Sequence, residues 1–251
     1  MDYDKDNSAA RLLSILESAQ KSRARNVSDM LSEVFPQQAT DELGVLKVLA
    51  QLFSLQIKVQ EDVRALENAN PDRLLKRHER VTDLFKRLNP DAGWEGLRGS
   101  INEAMLDGLE HCADAIDRES PIDRIAADDL VELRAQIHTV RELVIRSSLS
   151  SSTKTALVKM LAQIDLAIVD YSITGLDGMA QALEQAAGII ALDENSRKEA
   201  DENGDAGFEV WKVVSRGCEL VRTAASATRL GGWVKFLPLV ADEGSQKLLS
   251  E

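Results

Sequence analysis

The sequence predicts an all-α protein, a multi-helix bundle built from antiparallel helix hairpins with coiled-coil-like seams. The first observation behind this is a run of apolar positions with 4-3-4-3 spacing: Val45, Leu49, Leu52, Gln56, Val59, Val63 and Leu66. That spacing marks one face of a helix packed lengthwise on another. It recurs in Leu74, His78, Val81, Phe85 and Leu88, in Leu130, Leu133, Ile137, Val140 and Val144, and in Leu157, Leu161, Ile164, Ile168 and Tyr171. The third observation is negative: β-branched runs of period two are missing and only 4% of the chain is aromatic. The aliphatic residues therefore belong to helices rather than strands.

The elements follow in order. Ser8 as N-cap opens a first helix to Ser22, with Leu12, Leu13, Ile15 and Leu16 on its apolar side. A short helix from Val27 to Phe35 is stopped by Pro36, and Thr40 caps a long helix reaching Asn68. Pro71 suits the first position of the next helix, where its missing N–H would have no partner anyway. Folding about Asn68–Asn70 would bring Leu66 to Leu74, Val59 to Val81 and Leu52 to Leu88, which favours an antiparallel hairpin. The rival is a parallel homodimeric coiled coil through residues 45–66, with Gln56 setting its register.

Residues 89–99 (NPDAGWEGLRG) contain Pro and three Gly and form the clearest internal break. Ser100 with Glu103 reads as a capping box for a helix to Arg118, with Ile101, Met105, Leu109, Cys112 and Ile116 inward. Ser120 and Pro121 open the next, which ends near Ser147; a serine cluster then leads into a helix ending at Tyr171. Thr174 with Asp177 starts one more, to Leu192. The domain organisation expected is a helical bundle over 1–192 with an internal break at 89–99. An acidic linker or loop follows over 193–205, then a C-terminal amphipathic helix and tail over 206–251.

Composition narrows the function classes. The chain of 251 residues is 44% apolar and 29% charged, enough for a real core and a solvated surface. A net charge of −12 argues against nucleic-acid binding as the main activity, because a phosphate backbone demands a basic footprint. Basic proteins or surfaces suit it better. Met1 to Asn7 is polar and acidic, unlike a secretory signal. The longest charge-free run, the ten residues Val48 to Ile57, falls short of the roughly 20 needed to span a bilayer. Cys112 and Cys218 sit on helical stripes, as small hydrophobes do in a reducing cytosol. A soluble, cytoplasmic protein is expected.

Little in the sequence carries chemistry. His78 occupies a seam position, where a packed histidine is the ordinary reading. The stretch from Arg73 to His78 resembles the Arg-x4-His motif of helical HEPN-type ribonucleases, which implies an Arg and a His acting on a scissile phosphate. Leu74, at its second position, replaces the polar residue usual there. His111 between Asp107 and Asp114 lies on one helical face, but no Glu-x-x-His pair of the di-iron type occurs. Asp201, Asn203 and Asp205 begin like a calcium loop that fails at Ala206 and Lys212. No catalytic residue, cofactor or metal site is expected.

The functional candidate is the C-terminal piece. Asp193 to Asp205 holds six acids and two bases, whereas Gly207 to Ala241 holds five bases and two acids with Trp211 and Trp233. Phe208, Trp211, Val214, Cys218, Val221 and Ala225 share a helical face flanked by Lys212, Arg216 and Arg222, and Phe236 lies beyond. Phe208, Trp211, Trp233 and Phe236 are the expected anchors of a partner surface, with Lys212, Arg216 and Arg222 as steering charges. The leading expectation is a non-enzymatic scaffold or adaptor that binds another protein, itself, or both, and neutralises or regulates its partner. The alternatives are a peripheral membrane-binding protein acting through residues 207–240 and a helical ribonuclease using Arg73 and His78.

Overall fold

The computed structural model describes residues 6–192 and 205–225. They form ten helices and no strand: α1 (Ser8–Lys21), α2 (Val27–Val34), α3 (Glu42–Arg64), α4 (Pro71–Phe85), α5 (Trp94–Arg98), α6 (Glu103–Glu119), α7 (Ala127–Arg146), α8 (Ser151–Val169), α9 (Tyr171–Leu192) and α10 (Asp205–Ala224). The all-helical class read from the spacing is the class observed. The expected segment 193–204 and the tail from residue 226, with Trp233 and Phe236, lie outside the described residues.

Helix starts are set by Asn and Asp more than by the Ser and Thr beside them. Asn7, Asn26, Asp41, Asn70 and Asn102 each accept the N–H three residues on, meeting one of the donors a helix start leaves unpaired. This corrects three expected caps. Asn7 replaces Ser8, whose hydroxyl instead donates to Asp62 Oδ2 at 2.7 Å. Asp41 replaces Thr40, and Asn102 replaces Ser100, whose Oγ accepts from Arg87 Nη2 at 2.7 Å. Pro71 does stand at the first position of α4.

The chain divides into two compact units. The first holds residues up to Asp123 together with Ser172–Gly175. Its core gathers Leu12 and Leu13 of α1, Leu31 of α2, Val59 and Val63 of α3, Val81 of α4, and Leu109 and Cys112 of α6. Helix α1 packs on α3 and α6, and α4 packs on α3 and α6. Residues 89–99 lie inside this unit, where Trp94 of α5 is fully buried. Backbone bonds from Val27 N to Ala92 O and from Trp94 N to Arg25 O, 3.0 and 2.9 Å, tie that segment to the start of α2.

The second unit comprises Arg124–Tyr171 and, among the described residues, 176–192 and 205–225. Leu133, Ile137 and Val144 of α7, Met160, Leu161 and Ile164 of α8, and Met179 and Ala186 of α9 fill its interior. Helix α7 begins at Ala127, not at Pro121, and Ala126 supplies no side-chain cap. The reason is tertiary. The carbonyl of Ile122 accepts from Asp6 N and the N–H of Ile125 donates to the Tyr171 hydroxyl, each at 3.0 Å, so groups a helical turn would need are used elsewhere. Helix α9 spans Tyr171–Leu192 and is broken inside at Gly175, so that its longer part begins just after the expected start at Thr174 and ends at the expected Leu192.

Candidate functional site

Two helix faces stand out, one on α10 and one on α3. Helix α10 carries the expected residues. Its inward row is Val210, Val213, Val214, Gly217, Val221 and Ala224, all buried in the second unit. Helices α10 and α7 pack together. A side chain at Gly217 would press on Leu183 at 2.9 Å, so the missing Cβ lets α10 approach α9 closely. The apolar face is thus shifted from the one read in the sequence. Phe208, Trp211 and Cys218 are half-buried at its margin.

The flanking charges are differently employed. Arg216 donates to Asp129 Oδ1 of α7 at 2.9 Å and to Glu219 Oε2 at 3.1 Å. The Glu219 hydrogen bond raises its pKa, with Asp129 and Glu132 adding to the effect. Lys212 Nζ lies 4.4 Å over the Phe208 ring and contacts Glu209 at 2.6 Å. Arg222 and Lys212 are exposed, Arg216 half so. What the structure brings together at this margin is Phe208 and Lys212, with Trp211 half-buried on the same helix, while Arg216 is tied to α7.

The second face is on α3. Its buried residues include Val45, Leu49, Leu52, Gln56, Val59 and Val63, so these positions of the row read from the sequence face the interior of the unit. A second row runs along the same helix: Leu43, Leu46, Ala50, Phe53 and Ile57, again spaced by three and four. Leu43 is 77% exposed, Leu46 46%, Phe53 36% and Ile57 53%, and Ala50 is exposed too. Scattered surface leucines are ordinary; a contiguous exposed row along one helix is less so. Phe53 meets the buried Phe85 of α4 edge to face, with ring centroids 5.5 Å apart. The signal was present in the sequence as the charge-free run Val48 to Ile57, where apolar residues outnumber Gln51, Ser54 and Gln56 and leave α3 only a narrow polar stripe.

The residues read for chemistry are placed apart. His78 is 1% exposed, whereas Arg73 is exposed. Five positions on one helix separate side chains by roughly 140°, so the two do not converge on one phosphate. The Gln56 amide lies 3.2 Å from His78 Nε2 and donates to Thr82 Oγ1 at 3.0 Å, and Gln60 reaches the same hydroxyl at 3.3 Å. With Gln56 as donor, the ring nitrogen is an acceptor and the imidazole is neutral. His111 is exposed and bonds to the Asp107 carbonyl through Nδ1 at 2.6 Å. Among the described residues no group of three or more His, Cys, Asp or Glu is placed to hold a metal ion. Burial raises the thiols of Cys112 and Cys218 to about 11, away from nucleophilic chemistry. No described helix is long and apolar enough to cross a membrane.

The buried His78 has a measurable consequence. Burial lowers its pKa from 6.5 to about 4, because a charge in this seam would lose its hydration. The unfolded chain therefore binds a proton that the folded chain refuses between those two values. Stability from this group is complete above pH 6.5 and is lost as pH falls towards 4. The loss expected is about 3 kcal/mol. Urea unfolding of the wild type and of His78→Gln across this range should show a steeper acid loss in the wild type. Parallel curves would count against a buried neutral imidazole.

No family model, curated protein or solved structure matches the chain.

Proposed function

We propose that the chain is a non-enzymatic helical scaffold or adaptor, built from antiparallel helix hairpins with coiled-coil-like seams, that acts by protein–protein contact. The observation that supports this best is α3, a helix apolar on two faces of which its own unit covers one. A face of that kind lowers solubility unless something occupies it. The margin of α10 with Phe208, Trp211 and Lys212 adds a second contact region, since aromatic residues beside a cation are the usual anchors of interfaces. Residues 226–251, with Trp233 and Phe236, belong to the same proposed surface by sequence alone. The partner is another protein, a second copy, or both. Neutralisation or regulation of a basic target suits the net charge of −12.

The test is partner capture from the native host, with wild type and Trp211→Ala compared. Trp211 is half-buried at the edge of α10, so the variant is expected to stay folded while capture weakens at least about tenfold. A Trp211→Ala protein that captures its partner like wild type would remove α10 from the surface. Two further arms decide the class of function. Binding to acidic lipid vesicles that depends on residues 207–240 would replace the adaptor reading with peripheral membrane attachment. RNA cleavage lost in both Arg73→Ala and His78→Ala, with folding intact, would replace it with an enzyme.

A further inference from the structure

We propose that the outer row of α3 is a self-association seam that joins two copies of this chain, their α3 helices parallel. The inference deepens the adaptor reading and rests on it. Leu43, Leu46, Ala50, Phe53 and Ile57 alternate at spacings of three and four, as the a and d positions of a two-stranded coiled coil do. Such a row is complementary to itself: related by a two-fold axis along the helix, each residue meets its own counterpart. Ala50, the small residue in the middle, lets the helices approach closely.

Charge selects both the occupant and its direction. Glu42 directly precedes the first a position and Lys47 directly follows the first d position. In parallel helices these flanking sites face each other five residues apart across the seam. Glu42 of one copy therefore meets Lys47 of the other, and symmetry repeats the pair. Antiparallel copies centred on Ala50 would set Lys47 against Ser54 and gain no ion pair. The five side chains offer on the order of 400 Å² per copy, about half of what a standard stable interface buries on each partner. The dimer is accordingly weak, forming and dissociating in the micromolar range.

The experiment is sedimentation velocity on the full chain over a concentration series, with cysteine crosslinking as the second measurement. Wild type should show a reversible monomer–dimer equilibrium. Leu46→Glu, at an exposed position, should keep its helicity and raise the dissociation constant at least about tenfold. Glu42→Lys and Lys47→Glu should each weaken the dimer, and the two together should restore it. Leu43→Cys should crosslink to itself under mild oxidation, which parallel helices allow and antiparallel ones, with Leu43 near Ile57 of the other copy, do not. A wild type that stays monomeric throughout overturns the proposal, as does a dimer indifferent to Leu46→Glu. If that monomer still captures a different protein through Trp211, the adaptor reading survives and only self-association falls. Failure of capture as well as of dimerisation removes both.

Discussion

Val59→Asp is expected to lower the stability of the first unit by about 4 kcal/mol or more, enough to unfold a marginal domain. Val59 is fully buried on the inner face of α3, in the same core as Val63, Val81 and Leu109. A carboxylate there leaves water without gaining a cation or a donor; the polar pair Gln56 and His78 nearby is already bonded to itself. Ile57→Asp is the control two residues away. Ile57 is 53% exposed on the outer row, so its substitution should cost no more than about 0.5 kcal/mol. Far-ultraviolet circular dichroism with urea, at concentrations too low for self-association, measures both. Equal stability of the two variants would mean that the two faces of α3 do not differ in burial, and a larger loss for Ile57→Asp that they are assigned the wrong way round.

The second large effect is expected at Gly175→Ala, about 3 kcal/mol or more. Gly175 has φ 60° and ψ −153°, a region of backbone space essentially reserved for glycine. A methyl group there would also run into the Arg11 guanidinium. Arg11 cannot retreat freely. It is buried, its Nε donates to the Ile173 carbonyl at 3.1 Å, and its Nη1 donates to the backbone carbonyl of Asp6. Its Nη1 also lies 3.4 Å from the Asp6 carboxylate. Moving it would leave a buried charge short of partners. The substitution therefore combines backbone strain with a broken charge network, and thermal unfolding of Gly175→Ala beside Arg11→Met apportions the two. If Arg11→Met costs little and Gly175→Ala still costs the full amount, strain dominates. If Gly175→Ala is neutral, the chain does not pass through this conformation.

Much of the fold was legible because helical periodicity is local. Leu12, Leu13, Ile15 and Leu16 of α1 and Met105, Leu109, Cys112 and Ile116 of α6 were read as inward and are buried. Competition between neighbours was less legible. Asn7 beat Ser8 as a cap because the Ser8 hydroxyl is drawn to Asp62, more than 50 residues away in sequence. The helix expected from Pro121 was lost because Ile122 and Ile125 bond to Asp6 and Tyr171 instead of to their own turn.

The candidate surface shows the same division. The sequence singled out α10, where Lys212 lies over Phe208 and Trp211 is half-buried, but the inward row runs through Val210 and Gly217 rather than Trp211 and Cys218. A short stripe with valines on neighbouring positions does not say which edge turns in. That the outer row of α3 stays exposed is not legible in the sequence, because two apolar rows on one helix look alike until the neighbours that cover one of them are known.

By itself the sequence determined that the described chain is helical: a three-and-four spacing of aliphatic residues fits helix geometry and no other regular structure. It determined, too, that no described helix is long and apolar enough to cross a membrane, since charges interrupt every apolar run too early. The tertiary structure alone decided which row of α3 is inside, that His78 is sealed away from Arg73, and that Gly175 is wrapped against Arg11. Those outcomes depend on residues brought together from distant parts of the chain, and burial is a property of the neighbours a side chain acquires, not of its own place in the sequence.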